Sequence, residues 1–551
     1  MHTSRPTTSA PTPLTGRARW LALGSIALAV ALVIMDATIA NVALPVVIRE
    51  LSLTPSAAQW VNAVYSLVFA AFIITAGRAG DLFGRRTLAS GGLIVFLLAS
   101  LAAGASTSAA WLIAARTVQG LGAACVMPAT LSTINALFRG RDRSIAFAVY
   151  GSMIGGMAAV GPLVGGWLAT DVSWRWAFWL NIPFGLIALA GLIYYTPNTR
   201  GERVQPGLRS FDILGVVLAS VALGAIVFAL IESSTYGWWR RPSGALSPIL
   251  PTLALGLVAL AGFLAWERHR ERQGADVLVH LGLFRVRTFT LGVATAFLVS
   301  LGEFGLIFVL PLLLQGALGY DPLATGWLMM ALAAGTFLAS GLVPHLVRAW
   351  GKRTVIRVGL IAEALAVAVL AVATPLGSGA SALVLAAYGM GIGLANAQLT
   401  DTTMEDVPVS ASGEASGLQT TIRQLGSALG IALLGGLMIG QLATHTEAAL
   451  RAADYPEPAV EQITDIVHDS VGAAIPALDQ HDPAAADLAR TALIDASRTT
   501  FGLGAGVLGL GVVMSLALPA TRPRTTEDDE PAAPMEASAD NADPRDLQAL
   551  R

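Results

Sequence analysis

Four charged side chains sit where water should not reach. Asp36 lies in LVIMDATIANVALP (Leu32–Pro45), Arg116 in RTVQGLGAACVMP, Glu303 in SLGEFGLIF and Glu363 in LIAEALAV, all runs rich in Ala, Val, Leu, Ile and Gly. A charge near the centre of a bilayer costs at least ~2.5–3.5 kcal/mol on insertion scales, so such a residue is expected to face a partner or a water-filled path. A carboxylate there can be neutral when buried and ionised when hydrated or facing a guanidinium, an alternation that can couple a proton to another movement. Asp36 is the candidate for taking and releasing a proton. Arg116 needs a partner or water, the alternative being a side chain that snorkels from near the outer end of its helix. Glu303 has two readings, a proton or cation site and a structural pairing for which Arg423 is a candidate. Glu363 reads as structural or peripheral.

Composition says what must position these groups. Of 551 residues, 54% are hydrophobic and only 13% charged, against roughly 25% charged in soluble domains. Apolar runs of about 20 residues, enough to span hydrocarbon as a helix, recur along most of the chain. The expected class is an all-α polytopic membrane protein. A net charge of −2 gives no reason to expect nucleic acid. The single cysteine, Cys125, lies in an apolar run and reads as packing. The first apolar run is too long for a signal-peptide core and reads as a retained span.

Six runs precede Pro197, at about 20–47, 57–77, 88–105, 110–137, 145–170 and 176–196. Two follow, at about 212–231 and 247–266. Six more lie at about 288–314, 322–346, 354–373, 380–400, 415–440 and 498–518. The expected organisation is an N-terminal tail over 1–17, a six-helix bundle over 18–197, two additional helices with a linker over 198–287, and a second six-helix bundle over 288–520. If these spans alternate, the clusters Arg17/Arg19, Arg85/Arg86, Arg139/Arg141/Arg143, Arg268/Arg270/Arg272 and Lys352/Arg353 fall on one side, with Arg240 and Arg241 the main exceptions. The positive-inside rule then places both termini in the cytoplasm, and the expected location is a bacterial cell (inner or plasma) membrane. Residues 441–497 read equally as a small helical hairpin cap or a mobile loop. Residues 521–551, acidic and poor in large apolar side chains, read as disordered.

The loop GRAGDLFGRRTL carries Gly77, Asp81, Gly84, Arg85 and Arg86 between spans two and three. Its glycines permit a tight turn, and Asp81 can accept bonds from the next helix's amides or pair with Arg85 and Arg86. In span four, Arg116, Gln119, Gly120 and Ala123 share one helical face. Span five, GSMIGGMAAVGPLVGGW, sets Gly151, Gly155, Gly161, Pro162, Gly165 and Gly166 in a stripe almost without side-chain bulk, a seam for close backbone approach with a Pro that promotes a kink.

Together these motifs resemble the major facilitator superfamily, and within it the fourteen-spanner drug:proton antiporters. The loop is similar to G-x-x-x-D-x-x-G-R-R, span four to R-x-x-Q-G, and the end of span five to the G-P-x-x-G-G motif associated with antiporters. MDATIANVALP, with Asp36, Asn41 and Pro45, resembles the branch's D-x-T-x-x-N-x-A-L-P signature. WRWAFWLNIPFG and GEASGLQTTIRQLGSALGIAL, the latter with Arg423, are also similar to it, and the resemblance covers roughly residues 18–520. It implies that the span-two loop latches the cytoplasmic gate and that Arg116 takes part in proton coupling. The second-half counterpart, GLVPHLVRAWGKR, keeps Gly341, Gly351, Lys352 and Arg353 but lacks a match for Asp81, so a latch there should be weaker.

The expected fold is two six-helix bundles of inverted repeats facing each other, with two helices inserted between them. The expected function is export of a small amphipathic drug or antibiotic in exchange for protons. The alternative is a dedicated exporter of one endogenous metabolite, such as a self-made antibiotic, siderophore, sugar or lipid. No metal-ligand cluster, nucleophile with its base, or phosphate-binding Gly-rich loop followed by Lys is legible. The expectation is therefore no enzyme, cofactor or ATP, with an ion gradient as the driving force.

Overall fold

The computed structural model describes residues 16–138, 140–198, 212–239, 246–275, 277–407 and 412–518. The N-terminal tail, most of the 198–211 linker, Arg139, Arg240, Arg241 and the 521–551 tail lie outside them. α1 (Arg17–Leu51) begins at one face, here the near face, and crosses to the opposite, far face. α2 (Pro55–Phe83), α3 (Arg85–Gly104), α4 (Ala109–Leu137) and α5 (Gly140–Trp167) follow in alternation. A short α6 (Trp176–Trp179) leads into α7 (Asn181–Tyr195) and completes the first bundle. α8 (Ile213–Tyr236) and α9 (Ile249–Arg272) form the inserted pair. The second bundle contains α10 (Arg287–Leu312), α11 (Pro322–Trp350), α12 (Lys352–Ala373), α13 (Ser378–Met404) and α14 (Ser412–Gly430). A π-helical turn, Ile431–Gly435, joins α14 to α15 (Gly436–Ala452). α16 (Glu457–Asp469), α17 (Ile475–Leu478) and α18 (Pro483–Leu516) end the described chain.

Thirteen helices among the described residues are long and apolar enough to cross a membrane. α5, 28 residues long and packed between α1 and α11, is a further long helix of the first bundle beside these thirteen, where the apolar runs lead one to expect about fourteen spans. Residues 441–497 are largely helical: α15 and α18 extend past the expected spans and α16 packs back on α15. Alanines drive this extension. Ala485, Ala486, Ala489, Ala492 and Ala496 are buried along the start of α18 and leave its backbone close to its neighbours.

The second helix of each bundle begins and ends with the same devices. Thr54 caps α2 and Asp321 caps α11, each followed by a proline whose missing N–H the first turn does not need. Both helices stop at a glycine with positive φ, Gly84 at +104° and Gly351 at +80°, where a side chain would be strained. At Gly84 a Cβ would also collide with Asn198. Basic residues follow each turn, and they are anchored differently. Arg85 donates to Ser132 O at 3.1 Å and Arg86 to Thr196 O at 3.4 Å, whereas Lys352 pairs with Asp401 of α13 at 2.6 Å. Asp81 lies in the last turn of α2, and its side chain lies outside the described part.

Named bonds between the bundles gather in the far half. Gln315 donates to Val42 O at 2.9 Å, the Leu323 amide to Thr170 at 3.0 Å, and Gln59, in its better-satisfied amide orientation, to Ile431 O and Ala432 O. Ser66 and Ser427 meet at 3.3 Å near mid-depth. On the near face a segment after α9 straps three helices: Val277 O accepts from Arg78 of α2, the Leu278 and Val279 amides donate to Glu267 of α9, and His280 bonds Glu414 of α14.

Candidate functional site

Helix packing in the first bundle brings Asp36 and Arg116 into direct contact. Arg116 donates through Nη1 to Asp36 Oδ2, and both residues are 1% exposed. Asp36 Oδ1 accepts from Gln119 Nε2 at 3.0 Å and from Asn181 Nδ2 at 2.8 Å. Both amides also reach Ser100 Oγ, at 2.8 and 3.1 Å. Four helices thus converge on one carboxylate: α1 carries it, α4 supplies Arg116 and Gln119, α7 Asn181 and α3 Ser100. The three-residue spacing of Arg116 and Gln119 puts both on one helical face, and Arg116 also donates to Gln119 Oε1 at 2.9 Å.

Arg116 is held on its remaining sides by α2. Its Nε donates to Val61 O at 3.2 Å, and its guanidinium lies 4.4 Å from the Tyr65 ring centroid, a cation–π distance. A carbonyl, an aromatic face, an amide oxygen and one carboxylate therefore replace water around this cation. Gly120 permits the arrangement, because a Cβ there would come within 2.7 Å of Tyr65 O and push α4 off α2. One turn farther along α1, Asn41 accepts from Asn62 at 2.9 Å and donates to Ala37 O at 3.0 Å. Pro45 removes the amide that would have bonded Asn41 O.

The span-five seam divides between two neighbours. Added Cβ atoms at Gly161 and Gly165 would meet Thr38 and Ile39 of α1, the latter at 2.9 Å from Ile39 O. Gly166 abuts Pro322 of α11, and Pro162 O lies 2.6 Å from where a Cβ of Gly326 would be. The surroundings of Gly151 and Gly155 lie outside the described part. Gly165→Val should cost about 1–3 kcal/mol of stability by overpacking and lower transport in reconstituted vesicles. Unchanged melting and transport would show that α5 has room to spare against α1.

Glu303 belongs to the second bundle, apart from Asp36. It is 3% exposed, accepts from Asn396 Nδ2 of α13 at 2.9 Å, and lies within electrostatic reach of Arg423 without forming an ion pair. Gly77 packs loosely against Pro128, with 3.6 Å to an added Cβ. Asn181 and Ser100 escape the sequence reading. Asn181 does sit in an apolar stretch, LNIPFG, a weaker form of the signal that marks Asp36.

Comparison with known proteins places this geometry. The sequence profile of the Major Facilitator Superfamily matches residues 26–431. The multidrug resistance protein Stp of Mycobacterium tuberculosis is 31% identical over 479 residues, covering 85% of this chain and 86% of that protein. A puromycin resistance protein of Streptomyces alboniger is 34% identical over 78% of this chain and 83% of its own. Among solved structures, a bacterial homologue of the human lysosomal transporter Spinster, inward-facing and unoccupied, superposes with a TM-score of 0.62 at 18% identity, covering 93% of this chain and all of that one. The chain is a multi-pass membrane transporter for small molecules and belongs to the Major Facilitator Superfamily.

Proposed function

We propose that this protein exports small amphipathic drugs or antibiotics across the cell membrane in exchange for protons. The observation that carries the reading is Asp36, a single carboxylate enclosed by Arg116, Gln119 and Asn181. A proton arriving at Asp36 weakens its hold on Arg116, and its departure restores that hold, so proton occupancy and the packing of α1 against α4 change together. α1 also contacts α5, which abuts α11 of the other bundle through Gly166. A shift of α1 can therefore reach the far-half contacts that join the bundles. Arg85 and Arg86, on the near face, are suited to a gate at the Gly84 turn.

The near face is the cytoplasmic one in this reading, since the basic clusters gather there. The two relatives are named for resistance, one to many drugs and one to a single antibiotic, and export is a route to resistance that this reading supplies. In a vesicle loaded with a fluorescent amphipathic dye, the protein should export dye only while a proton gradient persists. Export that survives a protonophore would refute antiport. A toxicity panel in a pump-deficient bacterium then separates the breadths: protection against many unrelated compounds marks a multidrug pump, and protection against one marks a dedicated exporter.

A further inference from the structure

The second bundle encloses a pair of carboxyl groups whose charges do not balance. Glu303 of α10 and Glu363 of α12 are 3% and 0% exposed, and both lie against α13, Glu303 bonded to Asn396 and Glu363 with its Cγ against Gly391. Among the described residues, Arg423 of α14 is the one cation that acts on both. Two carboxylates against one guanidinium leave one negative charge in excess. Asn396 serves Glu303, but neither oxygen of Glu363 has a hydrogen-bond partner among the described residues. An ionised carboxylate offers about four acceptor sites, and leaving all of them empty in a membrane-spanning bundle is costly.

The surroundings are built to hold this side chain. α12 and α13 approach closely at Gly359 and Gly391, where added Cβ atoms would come within 2.8 Å of Gly391 O and 2.6 Å of Glu363 Cγ respectively. Tyr388, fully buried on the same helix as Gly391, lies within electrostatic reach of both glutamates, and its hydroxyl has no partner among the described residues. Asn396 Oδ1 is likewise unpartnered among them. The other ionisable residues of α11 and α18, which pack on α12, lie toward helix ends: His345 and Arg348 near one face, Asp487, Arg490, Asp495 and Arg498 toward the other.

We propose that Glu303 and Glu363 form a second proton-binding site, holding one exchangeable proton that resides on Glu363 while Glu303 faces Asn396 and Arg423. Two carboxyl groups sharing a site release protons as a pair. The proton leaves Glu363 to water when the bundle opens and returns from water, with no other bond made or broken. Resting on the antiport reading, the site adds a second proton per cycle, so each bundle carries one.

Infrared spectroscopy of the purified protein tests the site without transport. Wild-type protein should show a protonated-carboxyl band that persists at a pH where a solvated glutamate is ionised. Glu363→Gln should remove that band, and Asp36→Asn should leave it. Glutamine has the shape of the neutral acid, so Glu363→Gln should melt at the wild-type temperature. A band unchanged in Glu363→Gln, or a large fall in its melting temperature, would overturn the site. In vesicles, protons exchanged per dye should drop from two to one in Glu363→Gln, and an unchanged ratio would also overturn the proposal. Dye export insensitive to a protonophore, with the band still lost in Glu363→Gln, would instead remove antiport and leave the site standing.

Discussion

Asp36→Asn should abolish gradient-driven export, with dye efflux falling to that of vesicles without protein. The substitution keeps the size of the side chain and one carbonyl oxygen, which can still accept from Gln119 and Asn181. It removes the titratable proton and turns an amide donor toward Arg116, where the carboxylate had accepted. Substrate-triggered proton release from purified protein should disappear with it. Asp36→Glu should retain part of both activities, since the acid survives on a longer arm. If Asp36 only pins α1 to its neighbours, the Asp36→Asn variant keeps its proton release and pH-driven export, and the search for the coupling group moves to the second bundle.

The membrane helices were legible because apolar runs about 20 residues long are bounded by charge and turn residues, as at Gly84-Arg85-Arg86. Asp36 and Arg116 stood out individually because charge in hydrocarbon is expensive. Their contact did not, since it depends on how α1 crosses α4, which neither segment encodes alone. Asn181 and Ser100 carry no charge, so their cost in a membrane is lower than that of Asp36 or Arg116 and their sequence signal fainter. Glu363 read as structural or peripheral. Its enclosure follows from Gly359 and Gly391, whose role as a crossing point appears only once α12 and α13 are packed. The Gly161–Gly166 stretch was legible as a close-approach seam, yet its split between α1 and α11 required the folded chain.

Two sets of contacts give the Asp36 network a route to the other bundle. α1 bears Asp36 in its middle, meets Gly161 and Gly165 of α5 within the next turn, and at Val42 accepts a bond from Gln315 of the second bundle. All of these fall between Asp36 and Val42, so a rotation of this segment of α1 disturbs them together. Rigid packing favours two discrete arrangements over a continuous bend. In the proposed antiport cycle, these contacts would carry a local change at Asp36 to the other bundle.

Arg116 provides the sharpest separation of fold from function. Arg116→Gln should destabilise the protein by about 3–5 kcal/mol, because removing one partner leaves the other charge buried. The loss should show as a lower melting temperature and reduced yield of folded protein. Asp36→Asn should incur a cost of similar origin, offset in part by the Tyr65 ring and the Val61 carbonyl that continue to hold the guanidinium. Combining the two makes the centre neutral. The two amide side chains introduced by the double variant can hydrogen-bond each other and Gln119. The combination of Asp36→Asn with Arg116→Gln should therefore recover most of the melting temperature lost by Arg116→Gln alone, a non-additivity that independent sites would not show. Transport should not recover, since the neutral centre has no proton to exchange. A structural ion pair predicts the opposite pattern, in which stability and proton-driven export return together. Measuring melting and dye export on the same four proteins, wild type, two single variants and the double, decides between them.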